Sequence, residues 1–181
     1  MAEGARTSLR GAHPLSVDVT DLLRHPGASL TVSTEAAVEG LAVPMAGLAA
    51  ESGIRIELTF ESLVDGILAT GTIGGRADAR CRRCLRELAV DVVAPVREVF
   101  TTGAARDADT YPIEHGRADL EQMARDLVLP ALPLDPLCRP NCAGLCPVCG
   151  ADRNAESCGH DQVATDGPWA PLADLRDRLE E

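Results

Sequence analysis

Residues 138–160 read CRPNCAGLCPVCGADRNAESCGH, and this stretch decides how the carboxy-terminal part of the chain folds. It holds five of the seven cysteines, and His160 follows Cys158 at a distance of two positions. The rest is rich in turn-forming glycine, proline and asparagine, and the stretch has too few large apolar side chains to build a core. A bound metal can supply the stability that such a segment cannot obtain from hydrophobic burial.

The remaining two cysteines complete a set of eight soft ligands arranged as four close pairs. Tetrahedral zinc takes four sulfur or nitrogen ligands, so eight of them predict two closed sites and two zinc ions. Closed sites leave no coordination position for water or substrate, which favours a structural role over a catalytic one. The candidate metal ligands are Cys81, Cys84, Cys138, Cys142, Cys146, Cys149, Cys158 and His160.

Disulfides and redox chemistry are the alternatives to metal binding. Seven is an odd number of cysteines and leaves one thiol outside any complete disulfide framework. Met1 to Gly27 shows no apolar segment typical of a signal peptide, and disulfides are rare in the cytosol. A redox C-x-x-C motif lies at the start of a helix, whereas Cys81 and Cys84 fall in a strand–turn–strand pattern.

Composition narrows the class of protein further. The formal net charge is −11, which disfavours a broad electrostatic grip on nucleic acid. No apolar run approaches the ~18–20 residues of a membrane span, so we expect a cytoplasmic protein without a membrane partner. The sequence contains no nucleophile–base pattern of a known hydrolase, and we expect neither enzyme activity nor a small-molecule substrate.

Strand patterns dominate the first two thirds of the chain. Ile54 to Phe60 alternates apolar and polar residues, and Ile67 to Ile73 is expected to return antiparallel to it. Gly71, Gly74 and Gly75 then predict a bend or bulge. Leu88 to Phe100 is a further long strand pattern, which Pro95 is expected to break, so Cys81 and Cys84 are placed at the tip between two strands.

The predicted fold is α+β, an antiparallel, barrel-like sheet with one main helix and a zinc-bound, turn-rich carboxy-terminal segment. Residues 101–116 are expected to form a loop. Asp119 is expected to open the helix with Gln122 as its capping-box partner, and Pro130 to end it. The predicted organisation is a flexible tail at 1–14, a β-rich domain at 15–137 with a helix at about 119–129, a zinc-binding segment at 138–160, and a linker and short helix at 161–181.

Four arginines crowd the turn that carries the first cysteine pair: Arg80, Arg82, Arg83 and Arg86. One interpretation is a binding surface for phosphate or RNA. The other is charge balance, because a zinc ion held by four thiolates carries net negative charge that nearby guanidinium groups offset. The sequence alone favours charge balance, and both roles are compatible.

These motifs together resemble the YceD family of large ribosomal RNA subunit accumulation proteins. The resemblance rests on the Cys-x-Arg-Cys-Leu turn at residues 81–85, on LPLDPLC at 132–138, on NCAGLCPVCGADRN at 141–154, and on WAPLADL at 169–175. It runs from about Leu15 to Leu179 and is most specific after Cys81. This chain departs from many relatives at one point, since it has Cys158-Gly-His160 where they end in Cys-x-Cys.

The resemblance implies a role in the accumulation or processing of large-subunit (23S) ribosomal RNA, with no known catalytic activity. It implies partners in the large-subunit precursor, either rRNA or a basic ribosomal protein. Family members that keep only the first ligand group imply that Cys81, Cys84, Cys138 and Cys142 form one site and the other four ligands a second. Two rival functions stay open, a zinc-ribbon adaptor between proteins and a thiol redox or metal sensor.

Overall fold

The computed structural model of the protein describes residues 6–7, 15–49, 53–102 and 110–160. The chain divides into two compact units, the first comprising residues 1–82 and 86–138 and the second residues 83–85 and 139–181. All regular strands and helices belong to the first unit among the residues described. They are β1 (Arg6–Thr7), β2 (Ser16–Asp18), α1 (Thr20–Arg24), β3 (Ser29–Ala36), β4 (Ala42–Val43), β5 (Ala46–Leu48), β6 (Ile54–Ser62), β7 (Ile67–Arg80), β8 (Glu87–Thr101), β9 (Thr110–Glu114), β10 (Arg117–Asp119) and α2 (Glu121–Ala131).

The strands of the first unit form one curled, half-barrel sheet in the order β1-β3-β6-β7-β8-β9-β10-β2, with the β4–β5 hairpin attached to β7. The sheet is mixed, because β1 pairs with β3 and β8 pairs with β9 in parallel. The expectation of a purely antiparallel sheet was wrong in these two places. Neighbouring strands joined by tight turns pair antiparallel, whereas residues 8–28 separate β1 from β3 and residues 102–109 separate β8 from β9.

The long central strand β7 pairs with β8 without a bulge. Its pairing with β8 runs unbroken from Ile67 opposite Phe100 to Arg80 opposite Glu87, so the glycines form no bulge in this ladder, which was one of the two predicted alternatives. The glycines instead allow close approach of neighbouring backbones. A Cβ atom on Gly74 would lie 2.0 Å from the Val92 carbonyl oxygen. Only glycine fits such a contact in a central strand.

Strand β8 passes through Pro95 without interruption, which corrects the predicted break. Pro95 lies opposite Thr72 on β7. On its other side, among the described residues, β8 pairs with β9 only from Val99 to Thr101, so β8 has a free edge at position 95. Proline is tolerated on such a free edge because its missing N–H costs no ladder hydrogen bond.

The core of the first unit lies against one face of the sheet and is almost entirely aliphatic. Strand β6 alternates as its sequence predicts, with Ile54, Ile56, Leu58 and Phe60 at most 1% exposed. The Phe60 and Phe100 rings lie 6.1 Å apart. Helix α2 covers this face with one buried stripe, namely Leu120, Met123, Ala124 and Val128.

Helix α2 spans Glu121–Ala131, two residues later than expected at both ends. Leu120 is the N-cap residue and makes no side-chain capping bond. Asp119 still serves the helix start, since its Oδ1 accepts a hydrogen bond from the Glu121 N–H. Gln122 donates to Asp126 instead of closing a capping box. Pro130 lies within the last turn, where the helix is already ending.

The segment expected to be a loop at residues 101–116 contains strand β9 and the turn into β10. His115 and Gly116 both have positive φ, at 52° and 75°, and join the two strands as a two-residue hairpin turn. Such turns demand left-handed backbone at both positions. The short helix α1 was not predicted. Its first amide, Thr20 N–H, donates to Asp18 Oδ1 and holds the entry turn.

Two expectations lie outside the described residues. These are the linker and helix at 161–181 and most of the tail at 1–14, of which only residues 6–7 are described, as strand β1. In the part of the chain that the structure describes, no helix is both long and apolar enough to cross a membrane.

Candidate metal centres

The structure gathers the eight candidate ligands into the two groups that the sequence analysis named. The first group comprises Cys81, Cys84, Cys138 and Cys142, and the second comprises Cys146, Cys149, Cys158 and His160. Within each group the ligand atoms all lie within 4.8 Å of one another. None of the seven cysteines forms a disulfide. That the groups hold zinc stays a prediction.

The geometry and chemistry of both groups fit tetrahedral metal. Zinc–sulfur bonds of about 2.3 Å place neighbouring sulfurs about 3.8 Å apart, so ligand atoms within 4.8 Å need only a small contraction. Four sulfurs, or three sulfurs and an imidazole nitrogen, are donor sets that zinc prefers over calcium or magnesium. The first group is the more enclosed, with three buried members, whereas Cys149 and His160 of the second are exposed.

A tight turn between β7 and β8 carries the first cysteine pair. Arg80 ends β7 and Glu87 begins β8, so Cys81 and Cys84 lie at a strand tip, as predicted. The Cys81 N–H donates to the Arg86 carbonyl oxygen at 2.9 Å and closes this turn. No helix follows Cys84, so the pair lacks the helix N-terminus that activates redox C-x-x-C motifs.

The second cysteine turn is Cys146-Pro-Val-Cys149-Gly150. Gly150 has a φ of 77°, which reverses the chain and lets its N–H donate to the Cys146 carbonyl oxygen at 2.8 Å. Leu85, the residue after Cys84, adopts the same left-handed backbone with a φ of 58°. In both turns, the residue directly after the second cysteine therefore has a left-handed backbone conformation.

The second turn favours the thiolate form of Cys146. Backbone N–H groups of Cys149 and Val148 point at its sulfur and lower the pKa of Cys146 to about 6. Cys158 differs. The backbone N–H of His160 favours its thiolate, but hydrogen bonding to Cys146, burial and Cys149 together raise the pKa of Cys158. Thiolate is the form of cysteine that binds metal, so Cys146 is better prepared than Cys158 to bind a metal ion.

Residues between the cysteines hold the second unit together by backbone pairing. The Cys146 N–H donates to the Ala151 carbonyl at 2.8 Å, and the Arg153 N–H donates to the Gly144 carbonyl at 3.0 Å. The Leu145 N–H donates to the Arg83 carbonyl at 3.0 Å. A Cβ atom on Gly144 would also lie 3.0 Å from that Arg83 oxygen, which is a tight contact, and the φ of 75° at this position favours glycine.

Asn154 belongs to the site and was missed by the sequence reasoning. Its Nδ2 lies 3.4 Å from Cys142 Sγ, and its Oδ1 accepts a hydrogen bond from the Ala143 N–H at 2.8 Å. Asparagine in a glycine-rich loop is usually a turn residue, so its residue type does not by itself indicate a contact with a ligand sulfur. The one available clue was its place between two ligand cysteines.

The four arginines of the first turn do not share one environment. Arg82 Nη1 lies 2.8 Å from Asp135 Oδ1, and Arg80 Nη2 lies 3.7 Å from Glu87 Oε1 with both side chains largely exposed. Arg83 Nη1 donates to the carbonyl oxygen of Cys142 at 2.9 Å, so its charge lies beside a ligand residue. Arg86 contributes the carbonyl oxygen that closes the turn.

Comparison with known proteins assigns the chain to a family. The sequence profile described as large ribosomal RNA subunit accumulation protein YceD matches residues 69–176, which is more than half of the chain and includes all eight candidate ligands. The protein therefore belongs to the YceD family.

Relatives of this chain occur in bacteria and in a plant. It is 35% identical over 176 residues to uncharacterized proteins of Mycobacterium tuberculosis and Mycobacterium bovis, covering 91% of this chain and 82% of each relative. It is also 30% identical over 71 residues to the chloroplastic large ribosomal RNA subunit accumulation protein YCED homolog 1 of Arabidopsis thaliana, covering 39% of this chain and 22% of that protein. No solved structure matches the chain.

Proposed function

We propose that the protein is a non-enzymatic, zinc-stabilised factor in the biogenesis of the large ribosomal subunit, acting in the cytoplasm on the accumulation or processing of 23S rRNA. The observation that carries this proposal is the family match over residues 69–176, whose description names large ribosomal RNA accumulation. The same residues contain both cysteine groups, so the candidate metal centres lie within the shared part of the family.

The donor sets support zinc as the cofactor and a structural role for it. Each group offers four soft ligands, which fills a tetrahedral shell and leaves no position for substrate. Closed sites of this kind stabilise a fold, whereas catalytic zinc keeps a water molecule in its fourth position. A non-enzymatic factor is the function that such sites favour.

The charge of the chain favours a protein partner over direct contact with RNA. With a net charge of −11, the surface attracts a basic ribosomal protein and repels phosphate. Carboxylates lie within 4 Å of the guanidinium groups of Arg80 and Arg82, which reduces their value as phosphate contacts. The tips of the two cysteine turns also expose aliphatic side chains, with Leu85 56% and Val148 71% exposed, and apolar groups suit a protein surface.

A deletion strain tests the assembly role. We expect loss of the gene to lower the ratio of large to small subunits in sucrose gradients, or to leave precursor large-subunit RNA. Cys146→Ser with Cys149→Ser should reproduce the defect because it opens the second group, and Val64→Ser, at a site 92% exposed, should complement like the wild type. Normal ribosome profiles in the deletion strain would contradict the proposal.

Two arginine variants separate surface contact from support of the site. Arg83→Ala removes the bond to the Cys142 carbonyl and should weaken metal retention. Arg80→Glu reverses an exposed charge and should keep both ions. If Arg80→Glu nevertheless fails to complement the deletion, the arginine turn contacts RNA or an acidic partner, and the preference for a basic protein partner is wrong.

A further inference from the structure

The side-chain amide of Asn154 has all its main hydrogen-bonding positions filled. Its Oδ1 accepts from Arg139 Nη2 at 2.7 Å and from the Ala143 N–H at 2.8 Å. Its Nδ2 donates to Asp152 Oδ1 at 2.6 Å and lies 3.4 Å from Cys142 Sγ. An asparagine amide offers two donor hydrogens and one acceptor oxygen, and each has a partner of the matching kind.

This set of partners fixes which way the amide points. Arg139 Nη2 and the Ala143 N–H can only donate, so the oxygen must face them. The Asp152 carboxylate can only accept, so the nitrogen must face the opposite side. If the amide were flipped, its nitrogen would face the two donors, Arg139 and the Ala143 N–H, and its oxygen would face the Asp152 carboxylate. An Asn154 N–H is therefore directed at Cys142 Sγ, which acts as the acceptor.

Asn154 reaches from one cysteine group to the other. It lies in the chain between Cys149 and Cys158, both of the second group, yet its amide contacts Cys142 of the first. Backbone pairing fixes its loop against the preceding strand-like segment, since Leu145 and Asp152 form an antiparallel bridge. Any metal that sets the conformation of residues 149–158 also sets the position of this amide.

We propose that Asn154 is a positioning residue that directs an N–H group at the Cys142 sulfur and thereby couples metal retention by the first group to occupancy of the second. The proposal rests on the proposed binding of zinc. A hydrogen bond from an amide to a ligating thiolate orients the ligand and offsets its charge, and loss of such outer-shell partners typically lowers metal affinity about 10- to 100-fold.

Three variants of the full chain test the hydrogen bond, with cobalt(II) as the metal probe. Asn154→Ala removes the whole amide. Asn154→Asp keeps an oxygen for Arg139 and Ala143 but replaces the donor to sulfur with a carboxylate oxygen. Asn141→Ala is the matched control, because it makes the same change at the exposed side chain beside Cys142.

We expect Asn154→Ala and Asn154→Asp to speed release of one of the two ions to a chelator by about 10-fold or more, and to shift its sulfur-to-cobalt charge-transfer band. Asn141→Ala should release both ions at the wild-type rate. If Asn154→Asp matches the wild type in rate and band while Asn154→Ala does not, Asn154 only holds the backbone, and the sulfur contact is overturned.

A second pair of variants tests the coupling. Cys149→Ser with Cys158→Ser removes ligands of the second group and should speed metal release from the first group in the wild-type background. In the Asn154→Ala background the same change should not speed metal release from the first group any further, since the hydrogen bond to Cys142 is already absent. Equal acceleration in both backgrounds overturns the coupling alone, whereas a wild-type chain that binds no metal overturns the zinc proposal together with this one.

Discussion

Removal of metal should disorder residues 139–160 of the second unit. Among these residues only Cys142, Gly144 and Cys146 are buried, and two of the three are candidate ligands. Leu145 is half-buried and Val148 is 71% exposed, so no aliphatic side chain here contributes the ~1.5–3 kcal/mol of full burial. A structural zinc ion contributes on the order of 10 kcal/mol in small peptides. We therefore expect bound metal to be the dominant stabilising term for this segment.

The expected effect is large enough to measure by hydrogen exchange. Even about a third of that contribution, some 3 kcal/mol, corresponds to a loss of protection of about a hundredfold at ~1.4 kcal/mol per factor of ten. The informative amides donate hydrogen bonds within the segment. They are the N–H groups of Cys146, Gly150 and Arg153, which donate to the carbonyl oxygens of Ala151, Cys146 and Gly144, respectively. Exchange followed by mass spectrometry, with and without a strong chelator, reports each of them.

The sheet of the first unit is the internal control. Strands β6 and β7 pair over eight residues, from Arg55 opposite Gly74 to Ser62 opposite Ile67, and their inward side chains are buried. We expect these amides to stay protected in chelator. Unchanged protection of residues 139–160 after complete removal of metal would refute the reasoning, because the segment would then hold its structure by contacts that its burial does not show.

Three further predictions follow from the same structure. Native mass spectrometry of protein prepared with zinc should show two ions per chain, and one ion or a mass lowered by disulfide formation would contradict the two groups. Gly74→Ala should lower the free energy of unfolding by about 1–3 kcal/mol in urea titration, because its Cβ would lie 2.0 Å from the Val92 oxygen, and Gly75→Ala, with its nearest atom at 3.2 Å, should cost less. Burial and the hydrogen bond to Asp126 raise the pKa of Tyr111 above its usual 10.0. The stability that this hydroxyl contributes is therefore complete below pH 10 and is lost as the pH rises above 10. The Tyr111→Phe variant should show a smaller fall in melting temperature in this alkaline range.

The sequence predicted the parts of the fold that depend on local patterns. Alternation from Ile54 to Phe60 identified β6 and its buried face, and the strand patterns on either side of Cys81 and Cys84 placed the turn between β7 and β8. The parallel pairing of β1 with β3 and of β8 with β9 could not be found in this way, because alternation within a strand does not identify its neighbour. Local pattern fixes the face of a strand, but tertiary contacts choose its neighbour.

Two local errors had a local cause. The His115-Gly116 turn carried the signal for a hairpin, but β9 and β10 span only five and three residues, too few for a clear alternation. The glycines of β7 were assigned a bulge, although a glycine permits close backbone approach as readily as a bend. Only the atoms of the neighbouring strand, such as the Val92 oxygen, distinguish the two.

The candidate ligands could be named from spacing, whereas their supporting residues could not. Cysteine and histidine are few and chemically distinctive, so their pairing in sequence is informative. Asn154 supports the site through its side-chain amide, which contacts Cys142, and Gly144 supports it through its backbone, which pairs with Arg153. Such contacts depend on the folded path of the chain, and the presence of an asparagine or a glycine in the sequence does not predict them.

The backbone of the first cysteine turn adds an argument about partners. Residues Leu85 and Gly150 hold the same left-handed position in their turns, with φ values of 58° and 77°. Glycine adopts this conformation freely, whereas leucine pays about 1–2 kcal/mol for it. The Leu85 side chain recovers little of that by burial, since it is 56% exposed. A turn shaped only for metal binding would favour glycine at both positions. An exposed aliphatic side chain in a strained backbone conformation fits the partner that we propose, because an apolar group suits the surface of a protein better than the phosphates of RNA.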